Sequence, residues 1–300
     1  MADELIGRVF PAGGPVEPPF IIGREGDIAE VCARARNGLH TMIAGARRIG
    51  KTTVANAACA RLRDGDHLVV DIEVPERSTP EDLCQFVIER CQSQSRSAKV
   101  GKAAELVLPL IEKLLAEEGL PLNLFALGGG SPTPVQQRAV LALPKHLARE
   151  LAQPVVFFLD ELQRVADYAD GERFLIDLVD LYAGQTAVIL LIDGSSERAL
   201  ARLYEDPVSL GKLAERLNLA PTIPLDQWRR PIREHFARTG LAVDDDAREA
   251  ILEFGAERPY ETMTAARHAA FMARRLETET VTLYVAREGI KAAEAALADD

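Results

Sequence analysis

Four short runs along the chain are largely apolar: "HTMIA" at residues 40–44, "HLVVDIEV" at 67–74, "PVVFFLD" at 154–160 and "TAVILLIDG" at 186–194. Runs of this length, rich in β-branched and aromatic residues, predict strands buried on both faces. "LNLAPTIPL" at 217–225 predicts a short final strand. Between these runs the apolar residues recur at three- and four-residue steps, which predicts helices over residues 51–63, 80–116 and 135–151. The last of these is interrupted at Pro144, and a helical pair follows residue 161. "LGGGSPTP" at 127–134 reads as a flexible loop. Buried strands alternating with helices predict an α/β fold, a parallel sheet covered by helices on both faces.

From Asp226 the pattern changes. "DQWRRPIREHFARTG", "DDDAREAILEFG" and "RPYETMTAARHAAFMARRL" are three amphipathic helices, the first two closed by glycine. "TVTLYVAREGIKAAEAALA" adds a brief extended link and a last helix. The expected organisation is an N-terminal arm at residues 1–20, an α/β domain at 21–225 with a helical insertion at about 76–150, and a small all-helical domain at 226–300.

Composition narrows the function classes. The chain has 300 residues, 47% of them hydrophobic and 27% charged, as in a soluble globular protein. Its acidic, proline-broken start is neither a secretory signal nor a transit peptide, and its apolar runs are too short to span a bilayer. A cytoplasmic location without membrane contact is therefore expected. A net charge of −11 argues against direct nucleic-acid binding by this chain alone. Cys32, Cys59, Cys84 and Cys91 lack metal-ligand spacing and fall within helical patterns, where a free cysteine acts as a small buried hydrophobe. The five histidines are scattered, and Trp228 and Tyr260 read as core of the helical domain.

"GARRIGKTT" at residues 45–53 carries the chemistry. It satisfies G-x-x-x-x-G-K-[ST] through Gly45, Gly50, Lys51 and Thr52, after a predicted strand and before a predicted helix. Glycines let backbone N–H groups close around phosphates at a helix N-terminus. Lys51 reaches the β- and γ-phosphates and the Thr52 hydroxyl ligates Mg²⁺. Ala46, Arg47, Arg48, Ile49 and Thr53 complete the candidate nucleotide contacts. Phosphate cradling does not demand Arg47 or Arg48, which contact nucleotide, pair with neighbouring acids or face a partner.

"VVFFLDE" places Asp160 and Glu161 at a strand end, where open α/β sheets put ligand-facing residues. Asp160 is the candidate magnesium ligand, and Glu161 the candidate base that polarises an attacking water. The next buried strand ends in "DGSS", which offers Ser195 as a sensor of the γ-phosphate, with Asp193 and Ser196 as alternatives and Ser196 also as a helix cap.

With these pieces in place the sequence resembles the AAA+/STAND group of P-loop ATPases, in particular archaeal-type ATPases and origin-recognition-like relatives. "FIIGREGDIAEV" at 20–31 looks like that group's opening motif, which implies Gly23 and Arg24 beside the adenine. "AGARRIGKTT" and "FFLDELQRV", with Gln163 two residues past Glu161, look like its phosphate loop and acidic strand. "GAERPYETM" looks like the start of its helical lid, which implies Arg258 and Pro259 near the nucleotide. The group places an arginine near the last core strand as a finger for a neighbour's nucleotide. Lys212 and Arg216 stand there, and Arg216 suits bidentate phosphate contact better.

The resemblance implies an ATP-binding and ATP-hydrolysing protein, with ATP and Mg²⁺ bound, that couples nucleotide state to a partner. Because the sequence stops at the lid, that partner is expected to be a separately encoded protein, and a homo-oligomer is left open. The alternatives are a slow or non-hydrolysing ATP-gated switch and a helper ATPase for DNA replication or transposition. A P-loop kinase is disfavoured, since no acceptor-binding motif is visible.

Overall fold

The computed structural model describes residues 2–76, 79–93, 133–168, 171–194 and 210–298, with residues 109, 112–113, 116–117, 199 and 202–203 besides. Most of the expected insertion and of the loop expected at 127–134, and Ser195 and Ser196, lie outside the described residues; Thr133 and Pro134 instead open a helix. In chain order the elements begin with α1 (Ala2–Val9), α2 (Glu25–Arg36), β1 (Thr41–Ala44), α3 (Lys51–Asp64), β2 (Leu68–Glu73) and α4 (Pro80–Ser93). They continue with α5 (Pro134–Leu141), α6 (Leu143–Leu151), β3 (Val155–Asp160), a 3₁₀ segment (Leu162–Asp167), α7 (Gly171–Tyr182), β4 (Val188–Ile192) and β5 (Glu215–Asn218). The C-terminal region holds α8 (Leu225–Arg238), β6 (Ala242–Val243), α9 (Asp245–Gly255), α10 (Pro259–Arg275), β7 (Thr280–Val281) and α11 (Leu283–Ala298). These elements form two compact units, one of Ala29–Ala44 with Ala58–Asn218, the other of Met1–Ile28, Gly45–Ala57 and Leu219–Asp300.

The first unit is built on a five-stranded parallel sheet in the order β2-β3-β4-β1-β5. Phe157 of β3 stands level with Val70 of β2 and Leu190 of β4. Every residue of β1, β3 and β4 is buried, as expected of strands covered on both faces. Because all strands run the same way, Ala44, Asp160 and Ile192 finish at one edge of the sheet. The helix expected over 135–151 breaks at Ala142, and Pro144 falls in the first turn of α6, where a missing N–H costs no hydrogen bond. The final strand lies two residues earlier than the apolar run suggested. Pro221 and Pro224 cannot donate to a ladder, so the half-exposed edge segment Glu215–Asn218 pairs with β1 instead.

Asp177 of α7 meets Arg138 of α5 at 2.6 Å and Arg173 at 3.3 Å. The four cysteines are free and buried, and burial pushes the Cys59 and Cys91 thiols far up, which makes them inert core groups.

The second unit packs α1 with the C-terminal helices. Ile6, Val9 and Phe10, from the segment expected as an arm, share one core with Trp228, Ile232 and Phe236 of α8. Trp228 is buried and donates its Nε1–H to the Ile223 carbonyl at 3.0 Å. Helices α10 and α11 approach through small residues: a Cβ on Gly289 would lie 2.5 Å from the Ala269 Cα. β6 and β7 add a two-residue parallel pair, with β7 at the expected extended link.

His40 supplies a pH-dependent contact of the sheet. The Leu190 N–H donates to its Nδ1 at 2.9 Å, so the ring proton sits on Nε2 and is donated to the Tyr182 carbonyl 3.0 Å away. Burial lowers the His40 pKa from its ordinary value of 6.5. A histidine depressed on folding stabilises the fold above its unfolded pKa and loses that contribution as pH falls below about 6.5. His40→Ala should cost about 1–3 kcal/mol, the penalty for a buried Leu190 N–H left unpaired. It should also flatten the fall of the urea midpoint between about pH 7 and pH 5; an unchanged pH slope contradicts this role.

Candidate nucleotide site

The phosphate loop follows β1 without a break in sequence. Gly45 has φ +144° and Gly50 φ +96°, both in the region that side chains disfavour. A Cβ on Gly45 would also lie 2.4 Å from the Ile49 Cδ1, so that side chain would have to move aside. At Gly50 a Cβ would meet only an ordinary contact with the Thr53 Cβ at 3.9 Å, and the need for glycine there is conformational. α3 begins at Lys51, so Lys51, Thr52 and Thr53 occupy a helical first turn whose N–H groups have no intrahelical partners. Lys51 is buried, and its Nζ donates to the Ala46 carbonyl at 2.9 Å. Its charge thus lies on the loop's own backbone, within reach of an anion placed against these N–H groups. Thr53 faces elsewhere, its hydroxyl accepting from the Val16 N–H at 3.0 Å.

Arg24 supports this loop from below. It is almost fully buried and donates to the Ile49 carbonyl at 2.9 Å and to the Ala220 carbonyl at 2.8 Å, with Asp27 at 3.1 Å. Gly23 packs against Ile223. Among the loop arginines, Arg47 is exposed, whereas Arg48 is half-buried with φ +68°. The Arg48 guanidinium lies 4.4 Å from the centre of the Tyr260 ring, a cation–π contact worth about 0.5–2 kcal/mol. That is comparable to the roughly 1–2 kcal/mol a non-glycine residue spends in this conformation. Arg258 caps α10 and pairs with Glu261 at 3.0 Å, and Pro259 is the first helical residue.

The acidic strand end belongs to the sheet unit. Asp160 closes β3 and is buried, with one oxygen accepting the Glu161 N–H at 2.9 Å. Burial, then Asp193 at the end of β4, then Glu161 push its carboxyl up to about 7. Asp193 is fully buried and accepts the Gly194 N–H at 2.6 Å. Glu161 takes a left-handed conformation, φ +57°, as the chain turns into the 3₁₀ segment. Its Oε2 accepts from the Gln163 amide, and the Arg164 Nε lies 3.7 Å away. Arg164 also donates to the Val74 carbonyl at 2.6 Å, which ties Glu161 to the end of β2.

The structure adds to two of the sequence candidates. Asp193 was considered only as a phosphate sensor, yet its position makes it a second buried carboxylate acting on Asp160; the polar end of a second buried strand was the available signal. Arg216, the candidate finger, lies half-buried in β5, opposite Met42. Among the described residues no three His, Cys, Asp or Glu side chains converge as a metal site. Mg²⁺ usually takes one or two protein ligands, with phosphate and water for the rest. A threonine hydroxyl and a strand-end carboxylate are hard oxygen donors of the kind Mg²⁺ takes.

The sequence matches the AAA domain family over residues 34–200, more than half of the chain. No curated protein matches it. Among solved structures it is similar to the Aeropyrum pernix ORC2 protein in ADPNP–ADP complexes, with TM-score 0.65 and 17% identity over 95% of this chain and 71% of that one. It is also similar to the Aeropyrum pernix ORC1 protein in complex with DNA, with TM-score 0.60 and 16% identity over 96% of this chain and 68% of that one. A Walker-type ATPase of Pyrococcus abyssi matches with TM-score 0.61 and 17% identity over 97% of this chain and 77% of that one. Such identities speak for the fold. With a family match across more than half its length and a fold shared with archaeal origin-recognition proteins, the chain belongs to the AAA domain family of P-loop ATPases.

Proposed function

We propose that the protein hydrolyses ATP and uses the cycle to switch its affinity for a partner protein. The observation that carries the reading is Lys51, buried at the start of α3 with its ammonium held on the carbonyl of a left-handed glycine loop. In this reading the N–H groups of residues 46–52 hold the β- and γ-phosphates and Lys51 turns from Ala46 onto them. Thr52 and Asp160 would hold Mg²⁺, which neutralises charge on the phosphate oxygens when bound. Glu161 accepts a proton from the attacking water. Arg216 would serve a neighbouring copy, and Ser195 would sense the γ-phosphate. Arg24 then acts on the loop backbone, with Gly23, Arg258 and Pro259 around the nucleotide.

A protein partner fits the surface better than nucleic acid. The net charge is −11, and three of the four α8 arginines are engaged by acids: Arg229 with Glu249 at 3.1 Å, Arg230 with Glu234 at 2.7 Å, and Arg233 with Asp245. A second reading, a slow ATP-gated switch, draws support from the Gln163 and Arg164 groups that already engage the Glu161 Oε2.

Lys51→Ala should abolish ATP-dependent phosphate release with loss of binding, whereas Glu161→Gln should keep binding and lower turnover by about 10²-fold or more. Turnover at the native rate in Glu161→Gln contradicts the base assignment. A wild-type rate as low as that of Glu161→Gln selects the slow switch.

Asp160 yields a second test. A carboxyl raised on folding stabilises the fold while protonated, and that contribution is lost as pH rises through about 7. Asp160→Asn should therefore raise the Tm of the metal-free protein by about 2–4 °C at pH 8 and by less at pH 5, while removing Mg²⁺-dependent turnover. A lower Tm at pH 8 would show that the ionised carboxylate stabilises the fold.

A further inference from the structure

Phosphate cradling explains neither arginine of the loop, and the structure separates the two. Arg47 is exposed, whereas Arg48 is the one non-glycine residue of the loop in the left-handed region and lies on the Tyr260 ring. A residue with a Cβ keeps that backbone only where its surroundings hold it. The rest of the loop is fixed by other means: Gly45 and Gly50 are at ease with positive φ, Arg24 holds the Ile49 carbonyl, and Lys51 the Ala46 carbonyl. Tyr260 stands on a firm support. It follows Pro259 in the first turn of α10, its carbonyl accepts the Thr264 hydroxyl at 2.7 Å, and Thr262, Met263 and Thr264 beside it are buried. A left-handed residue within a phosphate loop matters because alternating backbone hands turn successive N–H groups into one concave anion-binding nest.

We infer that Tyr260 is a positioning residue for the phosphate loop. Its ring holds the Arg48 side chain and, through it, the left-handed backbone that turns the loop's N–H groups toward a nucleotide polyphosphate. The inference rests on the nucleotide-binding reading of the loop and assigns the arginine a conformational task in place of a phosphate contact.

Glycine at position 48 separates these tasks, because it takes positive φ without help. Calorimetric titration with ATP should show Tyr260→Leu and Arg48→Ala each weakening binding about threefold to tenfold. Tyr260→Phe keeps the ring and should stay within about twofold of wild type. Arg48→Gly should bind within about threefold of wild type, and adding Tyr260→Leu to it should cost nothing further. If Tyr260→Leu does not fold, the comparison of Arg48→Ala with Arg48→Gly decides alone. Equal losses in those two variants assign the guanidinium to the nucleotide and overturn the inference. So does an unchanged Kd in Tyr260→Leu, or a full loss from Tyr260→Leu in the Arg48→Gly background. A wild-type protein that does not bind ATP overturns the nucleotide-binding reading itself, an outcome distinct from these.

Discussion

The guanidinium of Arg24, buried and shared between the carbonyls of Ile49 and Ala220, is the contact on which the phosphate loop depends. In a trans peptide the N–H points opposite to the carbonyl. Drawing the Ile49 carbonyl onto Arg24 therefore turns the Gly50 N–H the other way. The glycines at 45 and 50 permit this shape, and the Arg48–Tyr260 contact and the Lys51–Ala46 bond fix what lies between. A loop held this way loses little entropy when an anion arrives, which is how preorganised sites gain affinity. Cationic side chains thus shape the loop as well as charge it.

The sheet unit solves a different problem. Parallel strands place Asp160 and Asp193 at one edge, where burial and mutual repulsion keep the Asp160 carboxyl near 7. A fold selected for stability alone would avoid that arrangement, and a divalent cation reverses its cost by favouring the ionised form. Glu161, tied by Gln163 and Arg164 to the end of β2, has its orientation set before any substrate arrives.

Much of this was legible in the sequence. β1, β3 and β4 are apolar throughout because both faces are covered, and the loop glycines announce backbone that side chains disfavour. β5 was placed two residues late because an edge strand needs no apolar pattern, and Glu215–Asn218 is half-exposed. The burial of α1 was hidden because its partners on α8 lie far along the chain. Tyr260 read as core of the helical domain, since no local pattern links a ring at the start of α10 to an arginine near residue 48. Arg24 was read as a nucleotide neighbour, whereas its bonds run to backbone carbonyls that sequence cannot assign to a donor.

The central claim is that residues 45–52 form a preshaped anion cradle. Hydrogen exchange of the peptide covering residues 45–53, followed as ATP is added, tests it most directly. The account predicts strong slowing in that peptide with ATP and ADP and little with AMP, which lacks the β- and γ-phosphates. ATP that binds without slowing exchange there, or AMP that protects it equally, would contradict the account.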